Sequence, residues 1–333
     1  MTDHDALLLD DGLRDRIAGA LLGLAAGDAL GAGYEFAAPP QGEVAMIGGG
    51  LGDFSPGEWT DDTSMALCIA EVAATSGLDL TAIGERFLAW ARSEPPDIGI
   101  STRAVLGAAR TGADLPAAAA AYLADHPRGG AGNGALMRTA PVALFHLGDD
   151  AAIAASARAV AELTHADPLA GDSCVLWSIA IDRAVRQQRL DGVHDGLDLL
   201  PAARRRLWEE AVRAAEVQPT GQWSRNGFTV TALQAAHGAI TRTPVPSAAP
   251  AEPAGHLAAA LVAAVRIGGD TDTVAAIAGM VLGARWGASA IPAAWLEVLH
   301  GWPGLRADDL QRLALDTFRA GHAPAAGALP TGG

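Results

Sequence analysis

The sequence predicts an all-α fold. Its periodic segments are rich in Ala, Leu, Glu and Arg, all good helix formers, and strict alternation of β-branched and aromatic residues is almost absent. Glycine supplies a second observation: Gly19, Gly23, Gly27 and Gly31 recur every four residues in one segment, and Gly279, Gly283 and Gly287 in another. An interior glycine costs a helix about 1 kcal/mol relative to alanine. The repeats therefore predict two helices that approach each other backbone to backbone along a smooth ridge. A membrane-type dimer motif is the alternative, and the charges interrupting these segments oppose it. At 333 residues the chain can build one large domain or two ordinary ones.

In chain order, a first helix near 11 to 31 carries the first ridge. Asp28 lies in its apolar part, where an unpaired carboxylate would be costly, so it should accept hydrogen bonds from a neighbouring loop or help hold a metal site. Glu35, between Tyr34 and Phe36, reads as a surface residue or as a mobile acid/base above such a site. GGGLGDFSPGEW (48 to 59) is a loop. Thr60-Asp61-Asp62-Thr63 then opens a helix near 62 to 76, most simply as an N-cap with acidic first-turn residues. Helices near 80 to 92 and 101 to 110 follow, the second preceded by Asp97, a turn or cap residue in PPDIGIST.

After a helix near 115 to 124, the loop RGGAGNG (128 to 134) opens one near 136 to 147, and the backbone N–H groups of Gly132, Asn133 and Gly134 suit an anion. Helices near 151 to 164 and 171 to 189 flank His165, which reads as a satisfied structural histidine. ArgArgArg at 204 to 206 lies on the solvated face of a helix near 203 to 217. Beyond a helix near 227 to 240, TPVPSAAPAEPAG (243 to 255) is a surface excursion. Helices near 255 to 266 and 273 to 286 bracket GGDTDT (268 to 273), and the second bears the other glycine ridge. Helices near 292 to 299 and 307 to 320 complete the pattern, and residues 323–333 read as a disordered tail.

Charge and cysteine content exclude several functions. A net charge of -15 opposes a nucleic-acid partner, which would need clustered Lys and Arg. Cys68 and Cys174 sit in apolar helical patterns, as buried free thiols in a reducing compartment do, and cytoplasm is the expected location. The acidic start MTDHDALLLDDG lacks the features of a signal peptide, and Asp28, Arg266 and Arg285 cut the apolar runs before a membrane span is complete.

The polar clusters point to metal chemistry. Capping needs one side-chain oxygen per helix, whereas TDDT and GGDTDT together offer Asp61, Asp62, Asp270 and Asp272 besides several hydroxyls. Oxygen-only ligands select hard cations, and the lack of a Cys/His cluster opposes zinc. Four carboxylates balance two divalent ions, so a binuclear centre is expected.

These segments, taken together, resemble the ADP-ribosylglycohydrolase family. The match runs in one order through GALLGLAAGDALGAGYEF, GEWTDDTSMAL, PPDIGIST, GNGALMRTAPVAL, LTHADPLAGDSC, RNGFTVTALQAA and IGGDTDTVAAIAGMVLGARWG, and TDDT paired with GGDTDT is its specific part. The resemblance implies a compact, mostly orthogonal all-α domain over 1–322, with two Mg²⁺ or Mn²⁺ ions on the floor of a cleft. It implies Thr60, Asp61, Asp62, Asp270, Asp272 and Thr273 as metal ligands. Glu35, Asp61 and Asp62 would be catalytic, transferring protons at a ribose anomeric carbon. Substrate would be bound by Gly132, Asn133 and Gly134 at the diphosphate, His165 near the ribose-phosphate, Phe228 against adenine, and Asp97. Ala135 stands where many relatives have Ser, which removes one hydroxyl contact to phosphate. The implied substrate is an ADP-ribosylated protein, with arginine favoured over serine as the linked residue. Hydrolysis of a small conjugate such as O-acetyl-ADP-ribose, a non-catalytic ADP-ribose reader, and two helical domains with ordinary caps are the alternatives.

Overall fold

The computed structural model describes residues 9–127, 129–246 and 253–323. Much of the surface excursion and all but the first residue of the tail therefore lie outside the described residues, as do residues 1–8. The helices are α1 (Asp11–Gly31), α2 (Asp61–Ser76), α3 (Leu80–Arg92), α4 (Ile100–Ala108), α5 (Leu115–Asp125), α6 (Ala140–Phe145), α7 (Asp150–Glu162), α8 (Pro168–Gln187), α9 (Val193–Gly196), α10 (Ala202–Val217), α11 (Thr229–Arg242), α12 (Pro253–Val265), α13 (Thr271–Trp286), α14 (Ala293–Val298) and α15 (Ala307–Gly321). Among the described residues the paired strands are β1 (His300–Gly301) and β2 (Leu305–Arg306), an antiparallel hairpin too short to leave an alternating pattern in the sequence. The chain is all-α.

The middle of the architecture is the pairing of α1 with α13, which run against each other along their lengths. A Cβ added at Gly23 would sit 2.2 Å from the carbonyl oxygen of Gly279, and one at Gly283 would sit 1.9 Å from that of Gly19. No side chain larger than hydrogen fits between backbones this close, which accounts for the four-residue repeat. One apolar cluster extends from Leu13 to Phe318 and takes in residues of nearly every helix. α15 closes it by packing on α1, α2 and α6.

Several boundaries differ from the sequence expectation, for local reasons. The segment read as one helix near 136 to 147 is a 3₁₀ turn over Asn133–Arg138 followed by α6, with Pro141 near the start of the second piece. α8 starts at Pro168, three residues earlier than periodicity suggests, because Asp167 caps it by accepting from Leu169 N at 2.8 Å. Arg204 is not on a solvated face. It and Arg158 grip the buried carboxylate of Asp172, with Arg204 Nε at 2.5 Å, as a buried charge requires. Asp11–Tyr34 is long and apolar enough to cross a membrane by length and composition, despite Asp28, but 89% of its apolar 18-residue window is buried inside the protein. Cys68 and Cys174 are free, buried thiols.

Candidate active site

Neither polar cluster caps its own helix. Thr60, before α2, and Asp270, before α13, make no side-chain cap bond. Asp28 on α1 takes over the first turn of α2 instead. Its Oδ1 accepts Thr60 N at 2.9 Å, and its Oδ2 accepts Thr63 N at 3.0 Å and Thr63 Oγ1 at 2.6 Å. Asp28 is fully buried, and burial lifts its pKa to about 6 against the pull of these bonds. The reading of TDDT and GGDTDT as ordinary caps thus fails: neither N-cap residue bonds its helix through its side chain, and of the four carboxylates only Asp272 meets a first-turn N–H of its own helix, Thr273 N to Oδ1 at 2.8 Å.

They converge. Oxygen atoms of Asp28, Asp62 and Asp272 lie within 4.8 Å of one another, and so do those of Glu35, Asp270 and Asp272. Asp272 belongs to both groups, which gives two adjoining candidate metal sites. Thr60 Oγ1 lies 3.1 Å from Asp62 Oδ2 and 3.4 Å from Asp272 Oδ2, and Thr273 Oγ1 lies 3.4 Å from Asp62 Oδ2. Asp61 stands to one side, accepting from Gly99 N at 3.2 Å. The electrostatics are those of crowded acids. Burial, then the charge of Asp97, lifts Asp61 to about 8. Burial, then Asp270, Asp97 and Asp61, lifts Glu35 to about 9. Asp62 and Asp272 are pushed well above the carboxylate range, chiefly by burial.

The donor set fits divalent cations. Asp62 Oδ1 is buried without a hydrogen-bond partner, an orphan acceptor aimed into a group of carboxylates. A hard cation would satisfy it and relieve the repulsion that raises its neighbours' pKa values.

A cleft of about 310 Å³ leads away from these acids, from Glu35, Asp61, Asp270 and Asp272 to Gly132, Asn133, Gly134 and His165. Asp97 and the first turn of α4 line its other side. The N-cap of α4, Gly99, makes no side-chain cap bond, and its first turn lines the cleft together with the glycine loop, a second potential anion site that the sequence reading of PPDIGIST missed. The glycines there serve packing as well as binding: a Cβ on Gly134 would lie 2.9 Å from the His165 ring.

His165 is more than a satisfied core residue. Buried Arg138 donates from Nη2 to Thr164 Oγ1 at 2.7 Å, and Thr164 Oγ1 lies 2.8 Å from His165 Nδ1. His165 Nδ1 is the one acceptor in reach of the Thr164 hydroxyl hydrogen among the described residues, so that hydrogen goes to Nδ1 and the imidazole carries its own proton on Nε2, the nitrogen beside Gly132 and Gly134. Burial and Arg138 lower its pKa to about 3, so the ring is neutral. It presents one N–H donor to the glycine loop.

Two further residues sit differently from expectation. Asn133 does not offer its backbone N–H to an anion, as the sequence predicts: that N–H donates to the Gly227 carbonyl at 3.1 Å, while Nδ2 donates to Asp270 Oδ2 at 2.7 Å and to the Asn226 carbonyl at 3.1 Å. Phe228 is 44% exposed and lies outside the cleft lining, with its backbone bridged to Gly132. Asn226, not singled out in the sequence, ties these parts together. Its Oδ1 accepts Asp270 N at 2.8 Å and its Nδ2 donates to Gly268 O at 2.9 Å. The only signal for it was its place in the RNG turn of RNGFTV.

Comparison with known proteins agrees with this geometry. The model of the family described as ADP-ribosylglycohydrolase matches residues 9–326. The chain is 32% identical to the ADP-ribosyl-[dinitrogen reductase] glycohydrolase of Rhodospirillum rubrum, over 86% of this chain and 91% of that protein. It is 31% identical to the ADP-ribosylarginine hydrolase Tri1 of Serratia proteamaculans, over 86% of this chain and 75% of that one. A solved structure titled ADP-ribosylglycohydrolase-related protein complex superposes with a TM-score of 0.72 at 30% identity, covering 94% of this chain and all of that one.

Proposed function

The chain belongs to the ADP-ribosylglycohydrolase family, and from that premise we propose that it removes ADP-ribose from arginine side chains of modified proteins. The family is one of glycosidase-type hydrolases acting on ADP-ribose conjugates. Arginine is the finer step, and two relatives, 31% identical, whose names specify ADP-ribosylarginine support it. The observation that carries the catalytic reading is the pair of carboxylate groups joined at Asp272, at the closed end of a cleft whose other end offers N–H donors. We read residues 1–322 as one domain.

In this reading Thr60, Asp61, Asp62, Asp270, Asp272 and Thr273 would hold two divalent cations, Mg²⁺ or Mn²⁺. When bound, these fix the ribose hydroxyls and make water more acidic. Asp28 positions Thr60 and Thr63 instead of binding a cation, because both its oxygens are engaged with the start of α2. Gly132, Gly134, His165 Nε2–H and the first turn of α4 hold the diphosphate, and Asn133 and Asn226 fix the strand of chain bearing Asp270. The bond between the ribose anomeric carbon and the guanidine nitrogen breaks, and a water oxygen bonds to that carbon. Asp61 or Asp62 takes the water's proton while Glu35 gives one to the departing nitrogen. Arginine and ADP-ribose leave, and the site's total protonation is unchanged.

The test is incubation of the protein with Mg²⁺ or Mn²⁺ and peptides carrying ADP-ribose on arginine, serine or aspartate, with products identified by mass spectrometry. Release of ADP-ribose from the arginine peptide, abolished by chelator and by Asp62→Asn, is expected. Cleavage of the serine peptide alone would refute the arginine assignment, and activity persisting in excess chelator would refute the metal-dependent reading.

A further inference from the structure

A second cavity adjoins the helix start that bears the candidate ligands. It measures about 550 Å³, and Asp61 and Asp97 line both it and the cleft described above. The cleft and this chamber therefore adjoin at two carboxylates. Of the groups lining that chamber, Glu58, Asp61, Glu94 and Asp97 are carboxylates, against a single guanidinium, Arg306. The walls between these acids are indole and proline: Trp59 and Trp90 are buried, and Trp302 on the hairpin is half-buried.

Glu94 deserves notice for its backbone. It is exposed, it precedes Pro95, and its φ of 55° lies in the left-handed region, which a side chain other than glycine seldom adopts. Strain of that kind is kept where it places a group usefully. Here it places a carboxylate on the wall of an acidic, aromatic chamber.

We propose that this chamber is the acceptor subsite, binding the arginine side chain of the modified protein while the ADP-ribosyl part lies in the glycine-loop cleft. The inference rests on the arginine reading above and extends it to a place. An arginine matches the chamber in both respects: a cationic planar head that pairs with carboxylates and stacks on indole, and an apolar stem that packs on Trp and Pro. With the guanidinium at Asp61 and Asp97 the stem runs out past Trp302 and Glu94 toward the protein that carries it. A serine acceptor, being short and neutral, would gain nothing from this lining.

The experiment has a binding arm and a kinetic arm, using the full chain with saturating Mg²⁺. In the first, Nα-acetyl-arginine amide and its neutral isostere Nα-acetyl-citrulline amide are titrated while tryptophan fluorescence is followed. Saturable binding of the arginine compound alone is expected, weakened about threefold to fivefold by Glu94→Gln and by Trp302→Ala, the size of one exposed ion pair or cation–π contact. In the second, both variants should raise KM for the arginine-linked peptide by a similar factor, with kcat and the inhibition constant of ADP-ribose unchanged. Equal binding of the two amides, binding of neither, or an unaltered KM would overturn the assignment. Should the wild type leave arginine-linked peptides intact, the functional reading fails, and the binding arm still decides whether the chamber selects a guanidinium.

Discussion

Thr164 fixes what His165 can do. Its hydroxyl is the one group between a buried guanidinium and the imidazole, and it orients the ring so that Nε2–H faces the glycine loop. Thr164→Val keeps the shape and removes the hydroxyl. Arg138 Nη2 then loses its strongest acceptor, at an expected cost of about 1–3 kcal/mol, and His165 is free to take the other tautomer. ADP-ribose affinity should fall about fivefold, the worth of one hydrogen bond, and Thr164→Ser should restore it. Calorimetric titration and thermal unfolding measure the two effects, and unchanged affinity in Thr164→Val would show that the ring is held by packing alone. None of this was visible in LTHADP, because the partner that turns an ordinary histidine into a defined donor, Arg138, is 26 positions away from Thr164. Asp28 is the opposite case. A carboxylate in an apolar, glycine-ridged helix signals a buried acceptor by itself, and only the identity of its donors awaited the fold.

The α1–α13 pair is the element on which the site depends. α1 carries Asp28 and leads into Glu35, and α13 opens with Asp272, so the backbone contact along the glycine ridge sets how near these acids come. Gly23→Ala would place a methyl group 2.2 Å from a carbonyl oxygen of the facing helix, where no rotamer change can relieve it. A loss of about 3 kcal/mol or more is expected, together with weaker Mg²⁺ binding as α1 is pushed away from α13. Gly107→Ala is the control. That glycine is exposed on α4 with nothing within 4 Å of a new Cβ, and the change should stabilise by roughly 0.5–1 kcal/mol. Chemical denaturation of the two variants beside the wild type checks both signs.

At the scale of the whole molecule, the buried acids make the stability of the metal-free protein fall as the pH rises. Without metal, Asp61 and Glu35 have folded pKa values of about 8 and about 9, above the roughly 4 of an unfolded carboxyl. Protonation favours the folded state, so their contribution is greatest below about pH 4 and is lost as the pH climbs through 8 to 9. Glu216 acts the other way. The hydrogen bond from His237, more than that from His194, holds it at about 2, and the stability it confers is present above about pH 4.5 and lost as the pH falls toward 2. The metal-free protein should thus lose thermal stability between pH 5 and 9, and the rise in Tm on adding Mg²⁺ should grow across that window. A constant Mg²⁺ effect at all pH values would contradict the placing of the ion among these carboxylates. What the sequence determined by itself is the helical class, the two ridged helices and the residue types of the centre, since periodicity, glycine spacing and clusters such as TDDT and GGDTDT are local properties. What only the tertiary structure decided is their use. The first turn of α2 proved to be held by Asp28, Asn133 is tied by its bond to Asp270 to the carboxylate end of the cleft, Phe228 lies outside the cleft lining, and a second chamber shares Asp61 with that cleft. Each of these follows from contacts between segments far apart in the chain, and no local pattern encodes which donor meets which acceptor.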